Sequence, residues 1–203
     1  AGKISLHTGA ADIIVSDWMW AARQRSTASD YLFAPYSSTA GAVVVDGQST
    51  IRDISQLVGK RVGIAGGPLD KNWLLLRALA LKQGVNLDND IKKIFAAPPL
   101  LNRLIQQGKL DALINFWHYN ARLKADGYRQ LLDTHDIIQQ LGIDANLPIL
   151  GYVFSQSWAH SQPTVINKFL SASRQAADLL CQSDQHWTAI VPLTRTTDIA
   201  TQA

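Results

Sequence analysis

The sequence has 203 residues and a single cysteine, Cys181, which excludes an internal disulfide and any zinc site built from several cysteines. Cys181 lies in an apolar helical stretch and is predicted to be a small core residue. No stretch reaches the ~18 apolar residues that a membrane-spanning helix needs. No basic and then apolar leader stands at Ala1, so we expect that a signal peptide has been removed or lies upstream.

The sequence also has little net charge and few motifs that are typical of catalysis. The net charge is +3 and the isoelectric point about 9.1, without the stripe of Lys and Arg typical of nucleic-acid-binding proteins, so no nucleic-acid partner is expected. The Gly-x-Ser-x-Gly elbow of hydrolases is missing. The five histidines show no metal-type spacing, and only His118, next to Trp117, is placed to do chemistry, with a ligand hydrogen bond as its favoured role. We therefore expect no catalysis, no cofactor and no metal.

The composition is that of a soluble globular protein, with 47% hydrophobic and 17% charged residues. A chain of this length can bury a core as one large domain or as two small ones. Apolar runs of strand type alternate with helical stretches along the chain. This alternation predicts an α/β fold with mainly parallel sheets.

The bounds of the expected elements follow from glycines, prolines and polar turns. Strands are expected at residues 12–15, 62–64, 91–97 and 111–115, with extended segments at 31–45 and 147–155. Helices are expected at residues 70–84, 100–107, 120–127, 135–142 and 163–181, with shorter helical pieces ending at Gly9 and within 21–30 and 51–58.

Residues 59–76 form the segment on which the functional interpretation depends. The short strand Val62-Gly63-Ile64 is followed by the turn Gly66-Gly67-Pro68 and by a helix for which Asp70 is the expected N-cap. A helix start offers unpaired N–H groups and about half a positive charge, which suits an anionic or strongly polar group of a ligand. The alternative is a plain connection from strand to helix without a binding role.

Two segments of the sequence, residues 9–20 and 108–119, resemble each other. In both, a glycine that ends a helix is followed by an aspartate that opens a strand, by an apolar run, and by a polar and aromatic cluster. The matched pairs are Gly9 with Gly108, Asp12 with Asp111, Ser16 with Asn115, and Trp18 with Trp117. Since open α/β sheets bind ligands at the carboxyl ends of their strands, the repeat predicts two similar lobes that share a cleft. A chance likeness between two helix–strand units is the alternative.

Four motifs spread over most of the chain carry a resemblance to a known family. They are Gly9-x-x-Asp12, Leu57-x-Gly59-Lys60-x-Val62-Gly63, Gly108-x-Leu110-Asp111-Ala112 and Pro163-x-Val165-Ile166. With these motifs the chain resembles the substrate-binding proteins of ABC importers, in the type II periplasmic-binding-protein fold. The resemblance is closest to the branch that includes aliphatic sulfonate, taurine, nitrate and thiamine-precursor binders.

The resemblance implies two lobes joined by crossing segments at residues 33–43 and 147–154. Residues 1–43 and 149–203 would form the first lobe, and residues 44–148 the second. The first lobe would lack the strand and helix with which the family begins, so Ala1 is not expected to be the natural start of the mature protein. The implied molecule is a periplasmic, or extracytoplasmic and lipid-anchored, monomer that closes like a hinge on a small organic ligand and delivers it to a membrane permease.

In that fold a ligand lies between the lobes and is held at the carboxyl ends of strands. Hydroxyl or backbone groups would come from the first crossing, amides and charge from the helix start, and apolar or cation–π walls from aromatic residues. The candidate ligand-binding residues are Asp17, Trp18, Ser37, Ser38, Gly66, Gly67, Leu69, Asp70, Lys71, Trp73, Phe116, Trp117, His118 and Tyr119.

Each group of candidates has a purely structural alternative. The serines could form a turn, Lys71 could point into water, the tryptophans could be buried core residues, and Asp17 could cap the next helix. Six tryptophans, at least four of them at element ends, favour a cleft lined for an organic ligand over a bare inorganic anion. The helix start and Lys71 suggest a sulfonate, carboxylate or phosphate end, whereas Asp17 with the tryptophans suggests an amine.

Two other functions share this fold. The effector domain of LysR-type transcription regulators has about this length and two lobes, and it would require a DNA-binding helix-turn-helix upstream. Thiamine-pyrimidine synthases are enzymes on the same scaffold. Their relatives carry a cysteine cluster, and the single cysteine of this chain argues against that class.

Overall fold

The computed structural model describes residues 2–144 and 147–194, and these residues group into two compact units. Residues 2–37 and 148–194 form what we call the terminal unit, and residues 38–144 with Leu147 form the central unit. The lobe boundaries expected from the sequence, 1–43 with 149–203 and 44–148, stay a prediction. Within those ranges, residues 1, 145–146 and 195–203 lie outside the described residues.

Strands and helices alternate along the described residues. In chain order they are α1 (Gly2–His7), β1 (Ile13–Asp17), α2 (Trp18–Arg25), β2 (Tyr31–Ser37), β3 (Gly41–Val45), β4 (Arg61–Ala65), α3 (Lys71–Lys82), α4 (Leu87–Asp90), β5 (Lys92–Ala96), α5 (Pro98–Gln106), β6 (Ala112–Phe116), α6 (Trp117–Ala125), β7 (Arg129–Asp133), α7 (Thr134–Leu141), β8 (Leu150–Ser155), α8 (Gln156–Ser161), α9 (Pro163–Gln182) and α10 (Asp184–Thr194). A 3-10 turn, Ser55–Leu57, lies between β3 and β4.

The central unit is built on a five-stranded sheet with the order β5-β4-β6-β3-β7. β4 runs parallel to β5 and β6, and β3 runs antiparallel to β6 and β7. β4 and β6 lie inside the sheet and are largely buried, which is why their sequences, RVGIA and ALINF, are almost continuously apolar. Because β6 and β7 are both antiparallel to β3, the carboxyl ends of β4, β5, β6 and β7 meet at one edge, which we call the carboxyl edge.

The terminal unit contains a three-stranded antiparallel sheet in which β8 lies between β1 and β2. On one face, buried side chains of α1, α2 and the strands form a cluster that includes Trp20 and Tyr31. The rings of Trp20 and Tyr31 stack with their centroids 5.7 Å apart, and the Tyr31 hydroxyl shares a 2.9 Å hydrogen bond with Nδ1 of His7. A second cluster, around Phe154 and Ile166, joins the sheet to α8 and α9.

The sheets are less parallel than the sequence analysis predicts. Within residues 2–144 and 147–194, only the pairs of β4 with β5 and of β4 with β6 are parallel. The two parallel pairs have the crossover connections of about a dozen residues or more that such pairs require, with α3 between β4 and β5 and α5 between β5 and β6. The α/β class is confirmed, with parallel strands at the centre of the larger sheet.

Several elements differ from their expected bounds. α6 begins at Trp117 rather than at residue 120. α5 begins at Pro98 rather than at residue 100, because proline fits the first helical turn. The helix expected at 51–58 is reduced to the 3-10 turn. The sequence analysis does not predict β7, whose sequence RQLLD lacks the alternation typical of a strand. Cys181, expected in the core, is exposed on α9.

Candidate ligand-binding site

Four helices begin at the carboxyl edge of the central unit. α5, α6 and α7 start within two residues of the ends of β5, β6 and β7, and α3 follows β4 after the turn at residues 66–70. The N–H groups of a first helical turn have no partner within their own helix, so this edge concentrates hydrogen-bond donors and partial positive charge. A small anionic or polar group is the kind of ligand that such an edge attracts.

The start of α3 is shaped by two glycines and a capping aspartate. Asp70 is the N-cap, as predicted, and its Oδ1 accepts a 2.9 Å hydrogen bond from the backbone N–H of Asn72. Gly66 and Gly67 have φ angles of 81° and 87°, a region in which side chains other than that of glycine are strained. A Cβ atom at Gly66 would also lie 2.6 Å from Asp70 Oδ2. Both glycines therefore allow the backbone turn, and Gly66 also leaves room for the capping carboxylate.

Lys71 is buried at this helix start, with 8% of its surface exposed, so the alternative in which it points into water is wrong. Its Nζ lies 3.8 Å from Asp70 Oδ2 and 4.9 Å from the centroid of the Phe116 ring. A buried ammonium group needs a compensating charge or a polarisable surface. Asp70 and Phe116 provide both and hold the cation at the carboxyl edge.

The aromatic run of residues 116–119 lies where β6 passes into α6. Trp117 is 51% exposed. The His118 ring stacks on Phe116 with a centroid distance of 6.4 Å and approaches Tyr119 at 4.5 Å. Desolvation lowers the pKa of His118, and the positive charge of Arg122 lowers it further, so the imidazole is neutral at pH 7 and can donate or accept a hydrogen bond.

Two other predicted residues near α3 have contrasting surroundings. Trp73 is 1% exposed, which is the core position that the sequence analysis gave as its alternative. Its helical spacing places it on the same buried face as Leu76 and Ala80, and the Arg77 guanidinium lies 5.8 Å from its ring centroid. Trp73 therefore presents no surface to a ligand in this structure. Leu69, in the turn before α3, is exposed.

A network of buried asparagines, which the sequence analysis misses, fixes the aromatic run in place. Asn115 Nδ2 donates to Asn102 Oδ1 at 2.8 Å, and the Phe116 N–H donates to Asn115 Oδ1 at 2.9 Å. Asn102 Nδ2 donates to the carbonyl oxygen of Tyr119 at 3.0 Å, and Asn120 Nδ2 donates to that of Asn115 at 2.9 Å. An asparagine inside the apolar run of β6 is the sequence signal that could have indicated the network.

Thr134, the first residue of α7, joins β3 to α3. Its hydroxyl accepts a 3.1 Å hydrogen bond from the N–H of Gly41 and lies 2.9 Å from the Gly41 carbonyl oxygen and 3.0 Å from Asn72 Oδ1. A hydroxyl has one proton and can donate to only one of the two oxygens. Turning the Asn72 amide lets its Nδ2, which has no partner among the described residues, donate to the hydroxyl instead. At Gly41, a Cβ atom would overlap the carbonyl oxygen of Asn115.

In the terminal unit, Asp17 caps α2, which is the structural alternative given for it. Its Oδ1 accepts a 2.8 Å hydrogen bond from the N–H of Trp20, and its Oδ2 lies 3.8 Å from Lys3 Nζ. The neighbouring Trp18 donates its backbone N–H to the carbonyl oxygen of Ile149 at 3.3 Å. The Asp17 carboxylate is therefore already engaged by a helix start and a lysine.

Ser37 and Ser38 lie where the chain passes from one unit to the other. Ser37 ends β2 and pairs with Leu150 after a register shift that begins at Pro35. Its carbonyl oxygen accepts a 2.9 Å hydrogen bond from the N–H of Ile149. Ser38 is exposed.

The structure brings the candidates together in two groups, one in each unit. Asp70, Lys71 and Phe116 are in contact within the central unit, where Gly66 and Gly67 precede the cap and residues 117–119 follow Phe116. Asp17 and Trp18 belong to the terminal unit. That residues of the two groups line one cleft stays a prediction.

The described part of the chain has neither a metal-binding cluster of His, Cys, Asp and Glu nor a candidate membrane-spanning helix. Within residues 2–144 and 147–194, no group of three His, Cys, Asp or Glu side chains is placed to hold a metal ion. Among the same residues, no helix combines the length and apolar character needed to cross a membrane.

Comparison with known proteins gives a family match and a set of similar structures. Residues 8–186 match the family described as NMT1/THI5 like. The curated proteins include none that matches the chain. Solved structures do match, at identities low enough that the likeness shows the fold alone.

Matches among these structures include three bacterial proteins. The periplasmic aliphatic sulphonate-binding protein SsuA of Escherichia coli matches with 20% identity and a TM-score of 0.74, over 94% of this chain and 63% of its own. The alkanesulfonate-binding SsuA of Xanthomonas axonopodis pv. citri, bound to MOPS, matches with 19% identity and a TM-score of 0.76, over 98% and 66%. A Bordetella bronchiseptica protein matches with 17% identity and a TM-score of 0.78, over 97% and 64%. The chain thus spans about two thirds of the length of these proteins.

Proposed function

Because the chain belongs to the NMT1/THI5-like family, we propose that it is the solute-binding component of an ABC importer. The fold shared with the periplasmic SsuA proteins supports a binding role without catalysis. The observation that carries the proposal is Lys71, a buried ammonium group at a helix start and beside an aromatic face. The family match favours this role over the effector domain of a LysR-type regulator.

The ligand in this proposal is a small organic molecule with an anionic end, and a sulfonate is the first candidate. Lys71 supplies a positive charge and the start of α3 adds N–H donors, so an oxyanion would gain charge-assisted hydrogen bonds there. The Asp70 carboxylate, 3.8 Å from Lys71 Nζ, offsets part of that charge and favours a singly charged anion over a dianion. The sulfonate binders among the similar structures support the same class.

The organic part of the ligand would lie against the aromatic run. Trp117 is half exposed and its ring lies edge-on to that of His118 at a centroid distance of 5.3 Å, and the neutral imidazole of His118 can exchange a hydrogen bond with a polar group. Asp17, Trp18 and Ser37 would contribute from the terminal unit, Ser38 as the first residue of the central unit, and Gly66, Gly67 and Leu69 through the backbone of the turn. In this proposal the two lobes close on the ligand like a hinge, because closure buries it and completes the contacts.

The cellular role follows from the same proposal. The closed form would be recognised by a membrane permease, and the protein would act as a monomer in the periplasm, or outside the cytoplasm on a lipid anchor. The match to periplasmic binding proteins supports this location. The chain spans only about two thirds of those proteins, so partners and location are proposed for the whole protein.

The proposal is tested by titrating the protein with ethanesulfonate and with MOPS in a calorimeter. Lys71→Met keeps the apolar stem and removes the charge, so it should weaken binding at least about ten-fold, the value of one charge-assisted hydrogen bond. Lys109→Met is the control, because Lys109 is exposed and precedes β6 at the opposite end of the sheet. Equal affinity of Lys71→Met and wild type would contradict the assigned anion site. Failure of the wild type to bind any sulfonate would contradict the ligand class.

A further inference from the structure

Two buried polar atoms at the junction of β1 and α2 have no hydrogen-bond partner among the described residues. One is Oγ of Ser16, a residue that is 6% exposed, and the other is Nε1 of Trp18. Ser16 is the last buried residue of β1, and Trp18 is the first residue of α2. A polar group that leaves water without gaining a partner lowers stability, so each such group in a native protein calls for an explanation.

The chemistry of the two atoms determines which kind of hydrogen-bond partner each of them can accept. The indole N–H of Trp18 can only donate, and the hydroxyl of Ser16 carries one proton that it can donate. A hydrogen-bond acceptor is therefore the group that each of the two atoms can use. The matching position in the central unit needs no external group, because Asn115 makes its hydrogen bonds to Asn102 and Phe116 inside the protein.

The charge of the neighbouring residue indicates whether this acceptor is an anion or a neutral group. Asp17 lies between the two residues in sequence, and its carboxylate already caps α2 and faces Lys3 at 3.8 Å. A second anion next to this carboxylate would be repelled, and the half-exposed lysine offsets only part of its charge. An uncharged oxygen avoids that cost.

We propose that Ser16 Oγ and Trp18 Nε1 donate hydrogen bonds to an uncharged oxygen of the ligand, such as an ether, carbonyl or hydroxyl oxygen. This inference rests on the proposed function and deepens it. It adds Ser16 to the candidate residues and gives Trp18 the role of a hydrogen-bond donor in addition to that of an aromatic wall. The ligand is thereby defined as an organic anion that also carries a neutral acceptor.

The affinity test uses two sulfonates that differ in one atom. MOPS carries an ether oxygen in its ring, and 3-(1-piperidinyl)propanesulfonate has a methylene group in its place. The wild type should bind MOPS about two- to ten-fold more tightly than the piperidine analogue, as expected for one or two neutral hydrogen bonds. Ser16→Ala and Trp18→Phe should each weaken MOPS binding by about two-fold or more and reduce the preference between the two compounds.

The stability test uses the protein without ligand. Ser16→Ala, which should weaken ligand binding, should not weaken the stability of the unliganded protein. Ser16→Ala removes a buried hydroxyl that has no partner, so the melting temperature should rise or stay the same. The matched control is Ser155→Ala in the same unit, because the Ser155 hydroxyl accepts a 2.9 Å hydrogen bond from the N–H of Trp158. Loss of that helix cap should lower the melting temperature.

The outcomes separate this inference from the proposed function. If Ser16→Ala lowers the melting temperature as much as Ser155→Ala, the hydroxyl is paired in the protein without ligand and the inference is wrong. If the wild type binds MOPS but Ser16→Ala and Trp18→Phe bind it equally well, neither atom donates to the ligand and the inference is also wrong, while the proposed function stands. If the wild type binds neither sulfonate, the ligand class of the proposed function fails, and this inference fails with it.

Discussion

The segments β1–α2 and β6–α6 follow the same course in the two units. Gly9 and Gly108, with φ angles of 71° and 66°, each end the preceding helical stretch. Five-residue strands follow, Ile13–Asp17 and Ala112–Phe116, and each passes directly into a helix whose first residue is a tryptophan. The shared spacing of glycines, apolar strand residues and tryptophans is therefore enough to give both segments the same order of turn, strand and helix.

The surroundings of the two segments differ, and so does the state of their polar groups. β6 lies between β4 and β3 inside a five-stranded sheet, whereas β1 is an edge strand of a three-stranded sheet. The Asn115 side chain in β6 is bonded to Pro98 and Asn102 of α5, while the hydroxyl of Ser16 at the matching position of β1 has no partner among the described residues. The same local path thus leaves the polar side chain in different states, because α5 supplies partners to Asn115.

The largest effect is expected from Asn115→Ala. The change leaves the buried Asn102 Oδ1 and the Phe116 N–H without their partner and also opens a cavity. The free energy of unfolding should fall by about 3 kcal/mol, measured by urea denaturation. Ser16→Ala at the matching position is the control and should cost nothing. A loss below about 1 kcal/mol for Asn115→Ala would show that the asparagine network does not stabilise the unit.

A smaller effect is expected from Asp17→Ala at the start of α2. The Asp17 side chain caps this helix, whereas Phe116 at the matching position makes no side-chain cap to α6. Loss of the cap should lower the free energy of unfolding by about 1 kcal/mol in urea. Asp17→Asn keeps a capping oxygen and should cost much less. If both variants lost the same amount, the effect would come from the ion pair with Lys3 rather than from the cap.

The smallest effect concerns the matched pair Asp12 and Asp111, and it depends on pH. Hydrogen bonds from the Arg61 side chain and backbone lower the pKa of Asp111 below its ordinary value of 3.8, whereas Asp12 is exposed. A carboxyl group with a lowered pKa stabilises the folded state above about pH 4, and this contribution is lost as the pH falls through its folded pKa. Asp111→Asn should therefore lower the thermal midpoint at pH 7 and have less effect near pH 3. Asp12→Asn should change little at either pH.

The parts of the fold that depend on neighbouring residues could be predicted from the sequence. The cap at Asp70 joins atoms two residues apart, and the glycine turns after α1 and α5 depend on the backbone of one residue. Apolar runs placed β4 and β6 correctly because buried central strands need no other signal. The start of α3 was placed for the same reason, with Asp70 as its N-cap.

The parts that depend on distant residues could not be predicted in this way. Lys71 is buried because Phe116, which arrives on β6, lies over its ammonium group, and nothing in the sequence around Lys71 indicates this. The bond between Thr134 and Gly41 spans 93 residues. Trp73 was assigned to a ligand wall because helical spacing alone does not say which of its neighbours cover it. The direction of β3 and β8 likewise depends on which strands they meet in space.

The close approach at Gly41 has a consequence for mutational tolerance. Any side chain there would collide with the backbone of β6 and with the Asn72 amide, and neither can move aside without disturbing its own hydrogen bonds. A saturation library of the region should therefore accept many replacements at the exposed Ser38 and Thr39 and almost none at Gly41. The entry of the chain into the larger sheet would then appear in such a library as one invariant position directly after a permissive stretch.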